Sequence, residues 1–189
     1  MKERGLDVRL NVKPIFMDFT HEYAYEGPCR FGQGDSLKPE FDIFLNGEIY
    51  KGFIDQVQKS VPDYVNLMEP VRVKGYTDAW NTKNEDMELL AKEDDTDVYI
   101  VTSSGRTGKV LTEFARRVKK PIIMYSESYF AMNTDVTGLK VRGMEAYPLL
   151  QWKELPDLLK PLRVRKALQQ TRVLLLNRFT MSYSPVSTQ

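Results

Sequence analysis

The sequence has very little of the two residues that build most disulfide and zinc sites. Its 189 residues include one cysteine, Cys29, and one histidine, His21. A single cysteine cannot form an internal disulfide, and one histidine leaves the multi-Cys/His zinc patterns without ligands. The chain is therefore neither a disulfide scaffold nor a zinc-finger domain.

The sequence also lacks the long apolar runs of membrane and secreted proteins. No run approaches the roughly 20 residues of a membrane span, and residues 1–4 do not lead into a signal peptide. The composition, with 42% hydrophobic residues and a net charge of +1, does not fit a disordered chain. We therefore expect a soluble, cytoplasmic protein that does not bind membranes.

Charge is nearly balanced overall but is unevenly distributed. Residues 1–95 hold 19 acids and 12 bases, whereas residues 96–189 hold 7 acids and 15 bases. Basic clusters at residues 116–120 and 163–166 raise nucleic-acid binding as an alternative. Each cluster falls near the C-terminal end of a predicted helix, where cations offset the negative end of the helix dipole. We therefore expect no nucleic-acid partner.

Short β-rich runs alternate with longer helical patterns along the chain. The patterns predict six strands, over residues 8–15, 63–74, 97–102, 121–125, 139–144 and 172–177. Pro70 interrupts the second of them. They predict five helices, over residues 39–58, 81–92, 105–119, 126–135 and 149–170. The last helix is expected to break at Pro156 or Pro161. This order is typical of a doubly wound α/β domain, flavodoxin-like or Rossmann-like, with a mainly parallel five-stranded sheet and helices on both faces.

Such a domain does not need the sixth predicted strand. Five strands and their helices complete a flavodoxin-like domain over residues 1–170. Residues 171–189 then hold either an edge strand plus a tail or the first strand of a second, missing domain.

The two loops that follow strands 1 and 3 are the least ordinary in the sequence. In a sheet of order 2-1-3-4-5, ligands bind between these strands, outside their carboxyl ends. The first loop, residues 17–39, is 23 residues long, far beyond the usual βα connection, and it is rich in aromatic residues. The second, residues 102–109, reads Thr-Ser-Ser-Gly-Arg-Thr-Gly-Lys and opens a helix. Such a start can bind an anion or a sugar hydroxyl through its N–H groups and hydroxyls.

More familiar sites do not fit these loops, although simpler alternatives remain. A P-loop would require glycine at Ser103 and Ser or Thr at Val110. Cys29 and His21 could form a nucleophile and its base, but no third group is indicated to orient them. His21 with Glu22, Glu26 and Cys29 could instead bind a metal, but their spacing is not that of a metal site. The second loop can also be an ordinary capped helix start with turn glycines.

Residues 11–40 carry a recognisable motif. It consists of Asn-Val-Lys-Pro-Ile-Phe at 11–16, then His21, then Glu-Gly-Pro-Cys-Arg-Phe-Gly at 26–32, and Leu-Lys-Pro-Glu at 37–40. The motif resembles the beginning of the L-fucose isomerase-like proteins, relatives of the fucose and arabinose isomerases. Its Glu-Gly-Pro-Cys-Arg core is the specific part.

The resemblance implies that this is the N-terminal α/β domain of a larger sugar isomerase. Such enzymes interconvert an aldose and a ketose through an enediol, with a divalent metal, typically Mn²⁺, polarising the sugar oxygens while carboxylates move the proton. The metal ligands would lie in the second and third domains. This chain would then bind no metal or other cofactor, hold no catalytic residue and be inactive alone.

The resemblance further implies a homo-oligomeric full-length protein, in which this domain supplies oligomer contacts and part of a neighbouring subunit's substrate site. We expect polar side chains of both loops to face the sugar: His21, Glu26, Arg30, Ser103, Ser104, Arg106 and Thr107. The alternative function is a stand-alone flavodoxin-like module that binds a small phosphorylated or polyhydroxylated ligand at residues 103–109.

Overall fold

A computed structural model describes five parts of the chain, residues 8–17, 39–73, 95–102, 108–126 and 129–181. Their elements, in chain order, are β1 (Leu10–Met17), α1 (Pro39–Ser60), β2 (Val65–Leu67), β3 (Val71–Val73), β4 (Val98–Thr102), α2 (Gly108–Val118), β5 (Ile122–Tyr125), α3 (Tyr129–Val141), β6 (Ala146–Leu149) and α4 (Leu155–Met181). A 3₁₀ turn at Trp152–Glu154 precedes α4.

The strands form one parallel sheet in the order β2-β1-β4-β5-β6, with β3 also paired to β1. Leu10 lies opposite Val65 and Ile15 opposite Val71, so β2 and β3 are two short pieces along the same side of β1. Pro70 separates the pieces because proline has no N–H to donate to the ladder. Counted as one strand, they give the order 2-1-3-4-5, which confirms the predicted doubly wound α/β fold.

Helices cover both faces of the sheet because the strands are apolar on both sides. Along β1, Val12 and Phe16 face one way and Ile15 and Met17 the other. On the first face, α1 and α4 contribute buried side chains: Phe53, Val57, Leu155, Leu159 and Leu162. On the second, α2 and α3 contribute Leu111, Phe114, Met132, Val136 and Leu139. Burying one such side chain contributes about 1.5–3 kcal/mol.

The predicted fifth strand, residues 139–144, is wrong. The preceding helix, predicted over residues 126–135, continues to Val141 as α3, and the strand that follows is β6. Met132, Val136 and Leu139 recur at helical spacing on one buried face, and this outweighs the short apolar run that favoured a strand. The turn after α3 ends at Gly143, whose φ of 77° lies in the left-handed region that glycine adopts without strain.

The predicted sixth strand, residues 172–177, is also wrong, as is the predicted helix break. Helix α4 runs to Met181 through Pro156 and Pro161. Pro156 is tolerated because it lies in the first turn, where an N–H would have no helical partner. A short apolar run such as residues 173–176 fits a helix as well as a strand, and the residues on either side of it determine which of the two forms. The second domain expected to begin within residues 171–189 stays a prediction.

The predicted helix over residues 81–92 lies outside the described residues, as does most of the first predicted loop. Within the described ranges, no helix combines the length and the apolar character that a membrane crossing requires.

Candidate functional site

The carboxyl ends of β1 and β4 lie side by side at the point where the strand order reverses. Ile15 of β1 is opposite Val101 of β4, near the last residue of each strand. The next described helix after β1 is α1, on one face of the sheet, whereas β4 is followed by α2 on the other face. The helices that follow these two adjacent strands thus lie on opposite faces of the sheet, and ligands of doubly wound sheets bind at such a reversal.

A side-chain hydrogen bond joins the two strand ends. The backbone N–H of Met17 donates to Oγ1 of Thr102, with 2.9 Å between the two atoms. An intramolecular hydrogen bond of this kind contributes about 0.5–1.5 kcal/mol to stability. The segments that begin after Met17 and after Thr102 therefore depart from adjacent, mutually fixed positions.

None of the predicted site residues falls within the described ranges. They belong to the two segments that leave this edge, residues 18–38 and 103–107: His21, Glu26, Arg30, Ser103, Ser104, Arg106 and Thr107. The structure describes the residues that flank these segments, including Gly108, where α2 begins. The roles of the seven side chains stay predictions.

One row of side chains crosses four strands at this edge, on the face covered by α1 and α4. Phe16 lies opposite Arg72 of β3 and beside Thr102, and Thr102 lies opposite Tyr125 of β5. We call these four residues the edge row. The row beneath it on the same face consists of buried apolar residues, Pro14, Ile100 and Ile123. Polar and aromatic side chains thus follow the apolar ones at the last or next-to-last position of each strand.

Aromatic rings hold both ends of the edge row. Tyr50 of α1 meets Phe16 edge to face with ring centroids 5.4 Å apart, and the guanidinium carbon of Arg72 lies 5.3 Å from the Tyr50 centroid. At the other end, the rings of Tyr125 and Trp152 are 4.5 Å apart. A cation–π contact contributes about 0.5–1 kcal/mol at an exposed site. These contacts orient the Arg72 and Tyr125 side chains, neither of which the sequence patterns identified as a site residue.

The opposite, amino edge of the sheet carries charged groups that attach α4. Lys166 Nζ lies 2.5 Å from Asp97 Oδ2, and the same oxygen accepts the Asn11 N–H over 2.8 Å. Arg163 donates to the carbonyl of Val8 over 2.8 Å. The predicted basic cluster at residues 163–166 therefore contacts the sheet from the middle of α4, not from a helix end as predicted.

A second contact of α4 with this edge perturbs a carboxylate. Arg165 donates to both oxygens of Glu145, at 2.8 and 2.7 Å, and the Tyr147 hydroxyl donates to one of them. The hydrogen bond from Arg165 lowers the pKa of Glu145, against its partial burial, which raises it. The basic cluster at residues 116–120 begins at a helix end, as predicted, because Arg116 and Arg117 lie in the last turn of α2.

In the parts of the chain that the structure describes, no group of three His, Cys, Asp or Glu side chains could hold a metal ion. The metal expected in the full-length protein stays a prediction for other domains.

No protein-family model matches this chain, and no curated protein is significantly similar to it. The likeness of residues 11–40 to the L-fucose isomerase-like proteins therefore stays a hypothesis. The fold by itself does not decide the function, because doubly wound α/β domains carry many unrelated activities.

Proposed function

We propose that this α/β domain binds a small polyhydroxylated or phosphorylated molecule at the carboxyl edge of β1 and β4. The proposal is supported by the hydrogen bond between Met17 and Thr102 at the reversal of strand order. The two segments richest in candidate polar groups depart from there, about 4.8 Å apart, one strand spacing. Ligands of doubly wound sheets bind at this position.

The motif in residues 11–40 favours a sugar as the ligand and a sugar isomerase as the whole protein. In this proposal the chain is the N-terminal domain of a fucose isomerase-like aldose–ketose isomerase, and it supplies oligomer contacts and part of a neighbouring subunit's substrate site. Carboxylate, guanidinium and hydroxyl groups suit a sugar, because each sugar hydroxyl both donates and accepts hydrogen bonds. The metal, Mn²⁺ or another divalent ion, would be held by other domains and would polarise the sugar oxygens.

Calorimetric titration of the purified chain with L-fucose, D-arabinose and a hexose phosphate tests the binding proposal. Ser104→Ala and Arg106→Ala should each weaken binding about 10-fold, since each removes a hydrogen bond to the ligand. Thr137→Ala and Arg142→Ala, on the exposed part of α3 and the turn after it, are matched controls that should bind as the unmodified chain does. Undiminished binding by both loop variants contradicts the proposed position, and the absence of any binding contradicts the function.

The second candidate is the stand-alone module with its ligand at residues 103–109. It is favoured by the start of α2 at Gly108, directly after the run of small and hydroxylic residues. The mass of the natural gene product and its oligomeric state separate the two candidates. A stable monomer of this length favours the module, and a larger oligomer with sugar isomerase activity favours the isomerase.

A further inference from the structure

The rings of Tyr125 and Trp152 form an aromatic pair at the carboxyl edge of the sheet. Tyr125 is the last residue of β5, and Trp152 begins the 3₁₀ turn that follows β6. The ring centroids are 4.5 Å apart, with 39° between the ring planes. Both residues are half-buried, whereas Phe53 of α1, whose ring centroid lies 5.9 Å from that of Trp152, is buried. The pair therefore packs against the core on one side and is accessible to solvent on the other.

Hydrogen bonds of the 3₁₀ turn fix the backbone around Trp152. The Glu154 N–H donates to the Gln151 carbonyl over 2.9 Å, and the Glu154 carboxylate accepts the Gln151 N–H over 3.3 Å. Leu155, directly after the turn, is fully buried against the sheet. A ring that is already held in place loses little conformational freedom when a ligand binds to it. Trp152 is therefore suited to contact a small molecule.

Three hydrogen-bond donors surround this pair without a protein acceptor. Within the described ranges, neither the Trp152 indole N–H nor the Tyr125 hydroxyl has a hydrogen-bond partner. Thr102 lies opposite Tyr125 on β4, one strand spacing of about 4.8 Å away. Its oxygen accepts from Met17, but its own O–H donates to no described group. Since indole N–H and phenol O–H groups usually find a partner when they are buried, these donors suit a ligand with several oxygen atoms.

An aromatic surface with donors beside it matches one face of a pyranose ring. The C–H groups of such a sugar point to its faces, where they can contact the negative face of an aromatic ring, and the hydroxyls surround its rim. In the galacto configuration the axial hydroxyl at C4 leaves the C–H groups of C3, C4 and C5 on one face. In the gluco configuration the C–H groups are divided between both faces. An aromatic surface therefore discriminates between these two epimers.

We propose that Trp152 and Tyr125 stack against the sugar ring at this edge and select a pyranose of galacto configuration over its gluco epimer. This inference rests on the proposed function, because the ligand occupies the same edge of the sheet. It adds a stereochemical class of ligand and two binding residues outside both candidate loops.

Calorimetry with D-galactose and D-glucose tests the inference on four forms of the protein: unmodified, Trp152→Leu, Trp152→Phe and Tyr147→Leu. We expect the unmodified chain to bind D-galactose about 5- to 10-fold more tightly than D-glucose, as the strength of aromatic contacts predicts. Trp152→Leu should abolish that preference, because it removes the ring. Trp152→Phe should retain most of it, because it keeps an aromatic face.

Fluorescence provides a second measurement that leaves the proposed site unchanged. Trp80→Phe removes the other tryptophan of the chain, so that Trp152 is the only one left. Quenching of its fluorescence by acrylamide should decrease in saturating D-galactose, because a stacked sugar covers the ring. Undiminished quenching with the sugar bound overturns the stacking contact.

The control and the contrary outcomes separate this inference from the function beneath it. Tyr147→Leu removes a half-buried ring of the same hydrophobic cluster near the start of β6, and it should keep the full preference. Equal affinity of the unmodified chain for both epimers, or an unchanged preference in Trp152→Leu, overturns the inference while sugar binding stands. If L-fucose binds but neither epimer does, the inference also fails and the function stands. If none of the three sugars binds, both fail. Thermal unfolding of each variant establishes that the compared proteins are folded.

Discussion

The hydroxyl oxygen of Thr102 accepts a hydrogen bond from the backbone N–H of Met17 over 2.9 Å, and it joins the two strands from which both candidate ligand segments depart. The bond connects neighbouring strands at their last residues, where the regular ladder ends. A local change at Thr102 should therefore affect both the stability of this edge and any ligand that binds there.

Replacing Thr102 by valine tests this connection, because valine keeps the shape and removes the acceptor. We expect Thr102→Val to lower the free energy of unfolding by about 1 kcal/mol and to weaken ligand binding. Thr102→Ser retains the hydroxyl and should bind the ligand nearly as the unmodified chain does. Urea denaturation and calorimetry measure the two effects, and equal behaviour of the valine and serine variants would contradict the role of the hydroxyl.

The ion pair between Lys166 and Asp97 should contribute to the docking of α4 on the sheet. Both side chains are only about a quarter exposed, at 23% and 22%, so water screens the pair less than it screens a surface pair. A double-mutant cycle with Lys166→Met and Asp97→Asn should give a coupling free energy of about 1 kcal/mol. The same cycle on Lys59→Met and Asp55→Asn, an exposed pair on α1, is the control and should give about 0.3–0.5 kcal/mol. Equal couplings for the two pairs contradict this prediction.

The Arg165–Glu145 pair predicts a specific dependence of stability on pH. The hydrogen bond from Arg165 lowers the pKa of Glu145 in the folded protein below the value in the unfolded chain. Stability from this group is therefore fully present above the unfolded pKa and is lost as the pH falls through the lower, folded pKa. Equilibrium unfolding between neutral pH and about pH 3 should show this acid loss in the unmodified protein.

Two variants isolate that effect from the titration of other carboxylates. Glu145→Gln removes the titrating group, and Arg165→Met removes the main cause of its shift. The difference in unfolding free energy between the unmodified protein and Glu145→Gln should shrink toward acid pH. Arg165→Met should show a similarly reduced acid loss. A difference that stays constant over this pH range is the result that excludes the predicted shift.

Two leucines of α4 provide a matched comparison of core and surface. Leu159 is fully buried against the sheet, whereas Leu168 is 66% exposed on the same helix. Leu159→Ala should lower the free energy of unfolding by about 2–5 kcal/mol, because it removes buried surface and leaves a cavity. Leu168→Ala should change it by no more than about 0.5 kcal/mol. Similar losses for both variants in urea denaturation would show that α4 does not pack as described.

The fold was largely predictable from the sequence because its central strands are unambiguous. Residues 98–101 are apolar or aromatic and buried on both faces, which is typical of a central parallel strand, and Pro70 marks the division between β2 and β3. The errors at residues 139–144 and 172–177 come from short apolar runs, for which periodicity alone does not separate a strand from a buried helix. In the first place the preceding helix continues to Val141 and a turn follows, and in the second α4 continues through the whole run.

The strand order at which the candidate loops leave the sheet was predictable, but the edge row was not. The alternation of strands and helices determines which loops leave the carboxyl edge, whereas the contact of Arg72 with Tyr50 depends on the register of β3 against β1. That register follows from packing between residues far apart in sequence. One sequence feature did point to it: Arg72 lies between Val71 and Val73, so strand alternation places it on the opposite face from both valines.

This chain alone should not interconvert an aldose and a ketose, although it should bind a sugar. The resemblance in residues 11–40 assigns the metal ligands to other domains, and the only histidine of this chain, His21, lies in the first candidate loop. An assay of L-fucose and D-arabinose with Mn²⁺ should therefore yield no ketose, while the natural full-length protein should yield it under the same conditions. Turnover by this chain alone contradicts the assignment of the catalytic groups to other domains. Absence of turnover by the full-length protein contradicts the isomerase proposal and leaves the binding module as the function to test.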